Sequence, residues 1–197
     1  VAEAQPRRCW PTTDPLYVAY HDDEWGRPVR DDARLLERLC LEGFQSGLAW
    51  ITILRKRENF RAAFAGFDAH ALARFDDRDV QRLMGDAGIV RNRAKIEATI
   101  ANARATVALQ QAGETLTELL WSFAPAAPAP VPTSLGEMPA ATPESKALAR
   151  ELKRRAFRFV GPTTAYALMQ ATGIVNDHVA GCVVREAVEA ERAAVLG

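Results

Sequence analysis

Long apolar runs, paired cysteines, strand-like alternation and net charge are all wanting in this 197-residue chain. No stretch approaches the roughly 20 uninterrupted apolar residues that a membrane span needs. No apolar run follows Arg7 and Arg8, so the start of the chain does not read as a secretory signal. Cys9, Cys40 and Cys182 are too few and too scattered for a disulfide framework, and a reducing cytoplasm is the expected compartment. No credible set of alternating strands occurs, so the fold class reads as all-α. The 25 basic residues balance 25 acidic ones. That neutrality decides nothing about nucleic acid, because distribution matters more than the sum.

What is present is a globular balance, 48% hydrophobic and 25% charged, at a length that fits one domain or two small lobes sharing a core. Basic residues gather at Arg55, Lys56 and Arg57, at Arg91, Arg93 and Lys95, and between Lys146 and Arg158. Each run taken alone is an ordinary solvated helix face. From Asp31, a plausible cap, an i, i+3, i+4 stripe runs through Leu35, Leu36, Leu39, Cys40, Phe44, Leu48 and Ile51. Further helices are expected around Phe60–Phe64, after Asp68, over Asp79–Gly85, over about Asn92–Ala112 and over Glu114–Phe123. Residues 124–143 hold six prolines and little periodicity, the composition of an extended connector. Helix resumes at Glu144 or Ser145, and Pro162 opens another that Gly173 stops. A last helix is expected from near Asn176, carrying His178 and Cys182.

Three constellations carry chemistry. Phe159-Val160-Gly161-Pro162-Thr163-Thr164 is a hydrophobic-glycine turn that opens a helix, where backbone N–H groups suit a DNA phosphate; an ordinary interhelical turn has the same pattern. Cys9 and His21 near one end, with His178 and Cys182 near the other, offer the donor set of a tetrahedral zinc. Four protein ligands close such a site, which makes it structural. Cys40, inside an apolar stripe, reads as a core cysteine, and His70 as a surface or capping residue. Finally, Trp10, Tyr17, Tyr20, Trp25 and Trp50 surround two carboxylates, Glu24 and Glu42. Core packing accounts for any one of these aromatics. An aromatic-walled pocket with a carboxylate at its base, however, is what recognition of an extruded, electron-poor purine requires.

Two strings and one longer stretch carry a family resemblance: Asp14-Pro15-Leu16-Tyr17-Val18-Ala19-Tyr20-His21-Asp22-Asp23-Glu24-Trp25-Gly26, Leu41-Glu42-Gly43-Phe44-Gln45-Ser46-Gly47-Leu48-Ala49-Trp50, and the stretch from Phe157 to Cys182. From about Cys9 to Cys182 the chain resembles the 3-methyladenine DNA glycosylase I family. The resemblance implies a helix-hairpin-helix glycosylase fold: one helical domain over 9–185 in two lobes, then a charged tail over 186–197. It implies one structural zinc held by Cys9, His21, His178 and Cys182. It places Glu42, Tyr20 and Trp50 on the flipped base, with Glu42 and Tyr20 in the catalytic role, and has Trp10, Tyr17 and Trp25 shape the pocket. Gly161, Pro162, Thr163 and Thr164 are then expected on DNA phosphate, and Gln45, Gly47 and Leu48 in the gap left in the stack. The implied activity is that of a monomer that acts on duplex DNA, hydrolyses N3-methylated adenine off the sugar and releases free 3-methyladenine.

One departure from the wider superfamily is informative. Enzymes such as endonuclease III carry an aspartate in a Val-Asp-Thr-His string after the hairpin, and here Val175-Asn176-Asp177-His178 has asparagine at that position. N3-methylation already weakens the bond, so binding and stacking can supply much of the catalysis, and ordinary adenine survives. Two rivals stand beside this reading. A zinc hydrolase using His21 and His178 loses turnover reversibly on chelation, and a damage-binding module binds lesions without releasing a base.

Overall fold

The computed structural model describes residues 7–127 and 129–196; Pro128 of the connector and Gly197 of the expected tail lie outside them. The described residues contain ten α-helices and no strand, as the missing alternation predicts. Helix α1 spans Pro15–Asp23, α2 Asp32–Gln45, α3 Trp50–Ala63, α4 Ala69–Ala73 and α5 Asp77–Gly85. Then follow α6 (Arg93–Gln111), α7 (Leu116–Trp121), α8 (Pro143–Arg154), α9 (Pro162–Ala171) and α10 (Arg185–Leu196). None of these helices is long and apolar enough to cross a membrane.

Local chemistry starts each helix. The Asp14 carboxylate accepts from the Leu16 amide at 3.0 Å, and Pro15 takes the first position of α1, where no amide is needed. Asp31 caps α2, and Asn92 caps α6. Asp76 and Asp79 form a reciprocal capping box, so α5 begins two residues earlier than Asp79 suggests. Thr142 and Ser145 do the same for α8, whose first residue is Pro143.

Two expectations about helix extent need correction. The stripe from Leu35 to Ile51 is not one helix: α2 stops at Gln45, and Ser46 to Ala49 form an exposed loop. Gly47 adopts a left-handed φ of 84°, and the Lys95 ammonium donates to the carbonyls of Phe44 (2.8 Å) and Ser46 (2.7 Å), taking up acceptors that a continuing helix would have used. Nor do His178 and Cys182 share a helix. The chain from Asn176 to Val184 is irregular, with a turn in which the Cys182 amide donates to the Val179 carbonyl, and α10 begins only at Arg185. The residues expected as a tail form most of α10, which buries Val188 and returns to the body through Arg192, whose Nε donates to the Ile174 carbonyl at 3.1 Å.

Helix α2 lies at the centre. Leu35, Leu36, Leu39, Leu41 and Phe44 are almost wholly excluded from solvent, and the helix packs on α3, α6, α7 and α9. Cys40 is buried there as expected, and His70 is exposed at the second position of α4. A second, smaller buried cluster gathers Cys9, Tyr20, Trp25, Leu54, Ala171, Val179 and Cys182. The connector does more than link: Met138 packs on this second cluster, and the Pro132 carbonyl accepts from the Ala180 amide at 2.8 Å. Gly173, with φ 75°, passes so close to Gly26, Arg27 and Pro28 that a Cβ there would stand 2.6 Å from the Pro28 nitrogen. The C-terminal third thereby lies against the segment that follows α1.

Candidate functional site

Tyr17 and Tyr20, three residues apart on α1, turn toward the same cavity. Glu42 enters it from the last turn of α2, Trp50 from the first residue of α3, and Trp10 and Trp25 from the segments flanking α1. The cavity measures about 220 Å³. Its rings are in mutual contact: Trp10 lies 5.1 Å from Tyr17 and from Trp25, and Tyr20 lies 5.4 Å from Trp50, centroid to centroid. All six residues expected to form the base pocket are therefore together.

Glu42 is 6% exposed, and its carboxyl has no hydrogen-bond partner among the described residues. Burial pushes it up to about 7, with the Arg38 guanidinium one turn earlier on α2 pulling the other way. Burial likewise raises the Tyr20 phenol far above its ordinary value. The indole N–H groups of Trp10 and Trp50 are sealed from solvent without an acceptor. A buried polar group without a partner is costly, and of these only the Glu42 carboxyl opens on the cavity, where a ligand could supply the partner it lacks. Glu24 does not share the pocket. Its carboxylate is held by Arg38 (2.5 Å) and by Arg57 (2.6 and 2.8 Å), and Arg38 in turn stacks on the Tyr20 ring at 5.4 Å. Of the two expected carboxylates, one is structural.

Behind the rings lies the cysteine and histidine group. Cys9, His21, His178 and Cys182 are all buried, and their donor atoms lie within 4.8 Å of one another, so they could hold a metal ion. Nδ1 of His178 is 3.2 Å from Cys9 Sγ and 3.4 Å from Cys182 Sγ, and Cys182 Sγ is 3.6 Å from Nε2 of His21. Donors around a tetrahedral ion bound at about 2.0–2.3 Å stand roughly 3.3–3.8 Å apart, so the spacing fits. The outer ring nitrogens fit as well. His178 donates from Nε2 to the Trp25 carbonyl at 2.9 Å, and His21 donates from Nδ1 to Asp22 at 2.6 Å, which makes each inward nitrogen an acceptor; that of His21 also accepts from the Cys9 amide at 3.1 Å. Arg8 clamps the same Asp22. Burial lowers His178 to about 4 and raises the Cys9 thiol to about 12, so the imidazole is neutral while a thiolate there requires a cation beside it. Gly26 lines this centre with φ 81°, and a Cβ on it would stand 2.9 Å from Nε2 of His178.

The remaining expected residues lie at the surface. Gln45 borders the pocket, while Gly47 and Leu48 sit on the loop after it; Leu48 is 38% exposed. Gly161 precedes α9, with Pro162, Thr163 and Thr164 as its first turn, and no atom approaches the place where a Gly161 side chain would be. Nearby Phe159 has φ 54° and is 42% exposed. Of the arginines around the hairpin, Arg154 pairs with Glu151 and Arg155 with both Glu151 and Glu114, whereas Arg158 makes no ion pair among the described residues. Leu135, Met138, Ala167 and Gln170 complete the pocket wall and were not anticipated. Gln170 had a usable signal, being the one polar residue among Leu168, Met169, Gln170 and Ala171 in the last turn of α9.

The methyladenine glycosylase family profile matches residues 10–186. The chain belongs to the methyladenine glycosylase family. It is 52% identical over 177 residues to DNA-3-methyladenine glycosylase 1 of Escherichia coli K12, covering 89% of this chain and 95% of that one. A crystal structure of 3-methyladenine DNA glycosylase I superposes with a TM-score of 0.87 at 51% identity, covering 90% of this glycosylase and 98% of the other chain. A variant of a 3-methyladenine DNA glycosylase I crystallised in complex with 3-methyladenine superposes with a TM-score of 0.84 at 31% identity, over 88% and 94% of the two chains.

Proposed function

We propose that the aromatic pocket receives an N3-methylated adenine extruded from duplex DNA and that the protein hydrolyses its N-glycosidic bond, as a DNA-3-methyladenine glycosylase of base excision repair. The observation that carries this reading is Glu42, an unpartnered buried carboxyl in a cavity walled by five aromatic rings. A base methylated at N3 is cationic while attached to the sugar. Tyr20, Trp50 and the neighbouring rings attract that charge, on the order of 1–2 kcal/mol for a desolvated cation–π contact. The same charge favours the Glu42 carboxylate over its protonated form and gives it the partner it lacks. Glu42 then accepts a hydrogen bond from the adenine edge. Neutral adenine gains neither attraction, which is the basis of selectivity. Water attacks the anomeric carbon, and the products are free 3-methyladenine and an abasic site. Among the described residues no lysine lines the pocket, so a Schiff-base lyase step is not expected.

Zinc is the metal that two thiolates and two neutral imidazoles at tetrahedral spacing suit, and in a centre closed by four protein ligands it supplies structure rather than catalysis. The hairpin before α9, with Gly161 open to approach and the first-turn amides behind it, is the element we assign to a DNA phosphate in the manner of a helix-hairpin-helix. Leu48 and Gln45 are assigned to the gap left by the extruded base. The protein acts as a monomer in this scheme, in the cytoplasm.

The test is chromatographic release of 3-methyladenine from methylated duplex DNA. Wild-type protein is expected to release it and retain 7-methylguanine. Glu42→Gln is expected to lose at least about a hundredfold in single-turnover rate, the scale of removing a charged transition-state contact. Unchanged excision by Glu42→Gln would remove Glu42 from the mechanism.

A further inference from the structure

Gln170 stands in the wall of the base pocket, on α9, across from the aromatic face that α1 supplies. Its amide nitrogen is already engaged: Nε2 donates to Asp177 Oδ2 at 2.8 Å and lies 3.6 Å from Met138 Sδ. The same carboxylate oxygen accepts from the Tyr166 hydroxyl. Asp177 is 8% exposed and does not itself line the base pocket. A carboxylate can only accept, so it fixes which way the Gln170 amide faces; the nitrogen turns to Asp177, and the oxygen is what remains. No donor among the described residues meets that oxygen. Gln45, also in the pocket wall, repeats the pattern, with Nε2 on the Leu48 carbonyl at 2.9 Å.

We infer that Gln170, oriented by Asp177, presents a fixed carbonyl acceptor to the base pocket and selects purines that carry an amino group at position 6 over purines that carry an oxygen there. The inference rests on the pocket being the base site. An exocyclic amine donates to the Gln170 oxygen. A 6-oxo group sets two acceptors face to face, and the amide cannot turn over to accommodate it without breaking its bond to Asp177. Gln170 is thus a specificity residue and Asp177 a positioning residue. The role also explains why Asp177 is unsuited to stabilise the sugar cation, since its charge is directed at Tyr166 and Gln170.

The experiment compares free 3-methyladenine with 3-methylhypoxanthine, which carries an oxygen at position 6 and one imidazole-ring N–H, by titration calorimetry or ligand-observed NMR on the metal-loaded protein. Wild type is expected to favour 3-methyladenine. Gln170→Leu is expected to weaken 3-methyladenine about tenfold and to leave 3-methylhypoxanthine within about twofold, the scale of one hydrogen bond in a desolvated site. Asp177→Asn, which lets the amide turn, is expected to narrow the same ratio while thermal melting reports that the protein stays folded. Equal weakening of both ligands in Gln170→Leu, or a preference that survives it unchanged, overturns the inference while leaving the pocket reading intact. Wild-type protein that binds neither purine overturns the pocket reading and the inference with it.

Discussion

The aromatic pocket and the cysteine–histidine centre are neighbours that share walls, yet their polar groups are treated in opposite ways. Trp10 packs edge-on to His21 at 4.7 Å and Trp25 to His178 at 4.6 Å, so the same two indoles face both. In the pocket, Glu42 and the Trp10 and Trp50 indole nitrogens lack partners. In the centre, both outer imidazole nitrogens are engaged and only the inward donors converge. A site for a transient ligand leaves bonding capacity open. A site for a resident ion saturates everything around the ion, so that one geometry survives.

That contrast predicts different responses to mutation. The largest effect is expected at the centre: Cys182→Ala, or a strong chelator, should cost on the order of 5 kcal/mol, most of the stability of a domain of this size. Wild-type melting in both cases would break the comparison. In the pocket, Glu42→Gln should stabilise the protein while impairing it. The ordinary carboxyl value of 4.5 rises to about 7 in the folded state, so the folded protein holds this proton more tightly than the unfolded chain does. Its contribution is complete below about pH 4.5 and is lost as pH climbs through 7. At pH 8 the glutamine variant should therefore be more stable by about 3 kcal/mol, with the difference vanishing near pH 4, as denaturant titrations at the two pH values would show. Equal stability at pH 8 would mean that Glu42 has a partner in solution. The smallest effect should come from Asp22→Asn, which loosens the orientation of His21: metal affinity measured by competition with a chromophoric chelator is expected to fall about 10- to 100-fold, with binding of 3-methyladenine unchanged. A parallel loss of purine affinity would show that the two sites are one cooperative unit.

Which aromatic, cysteine and histidine side chains come together was more legible in the sequence than the backbone that carries them. Aromatic residues around Glu42, and cysteine and histidine near both ends, are legible because their chemistry is rare. The placement of His178 and Cys182 on a helix failed because a spacing of four suits a helical turn and an irregular loop equally well when the ends are pinned by donor geometry. The break at Ser46 was hidden because the apolar stripe continues in register through Leu48, while the group that ends α2, Lys95, comes from a distant part of the chain. The connector was underestimated for a related reason. Proline-rich composition describes its conformation and is silent about Met138 and Leu135, which reach the pocket by tertiary contact alone.

The juncture of Cys9 with Cys182 has a consequence for biosynthesis. Cys9, His21 and most of the aromatic wall leave the ribosome before α9, His178 and Cys182, which follow only after α1 to α8. An incomplete polypeptide therefore owns a tyrosine–tryptophan face with nothing to close it and two metal donors with no counterparts. The pocket and the cysteine–histidine group are completed late in translation, and products aborted before residue 178 should neither hold a metal ion nor bind 3-methyladenine.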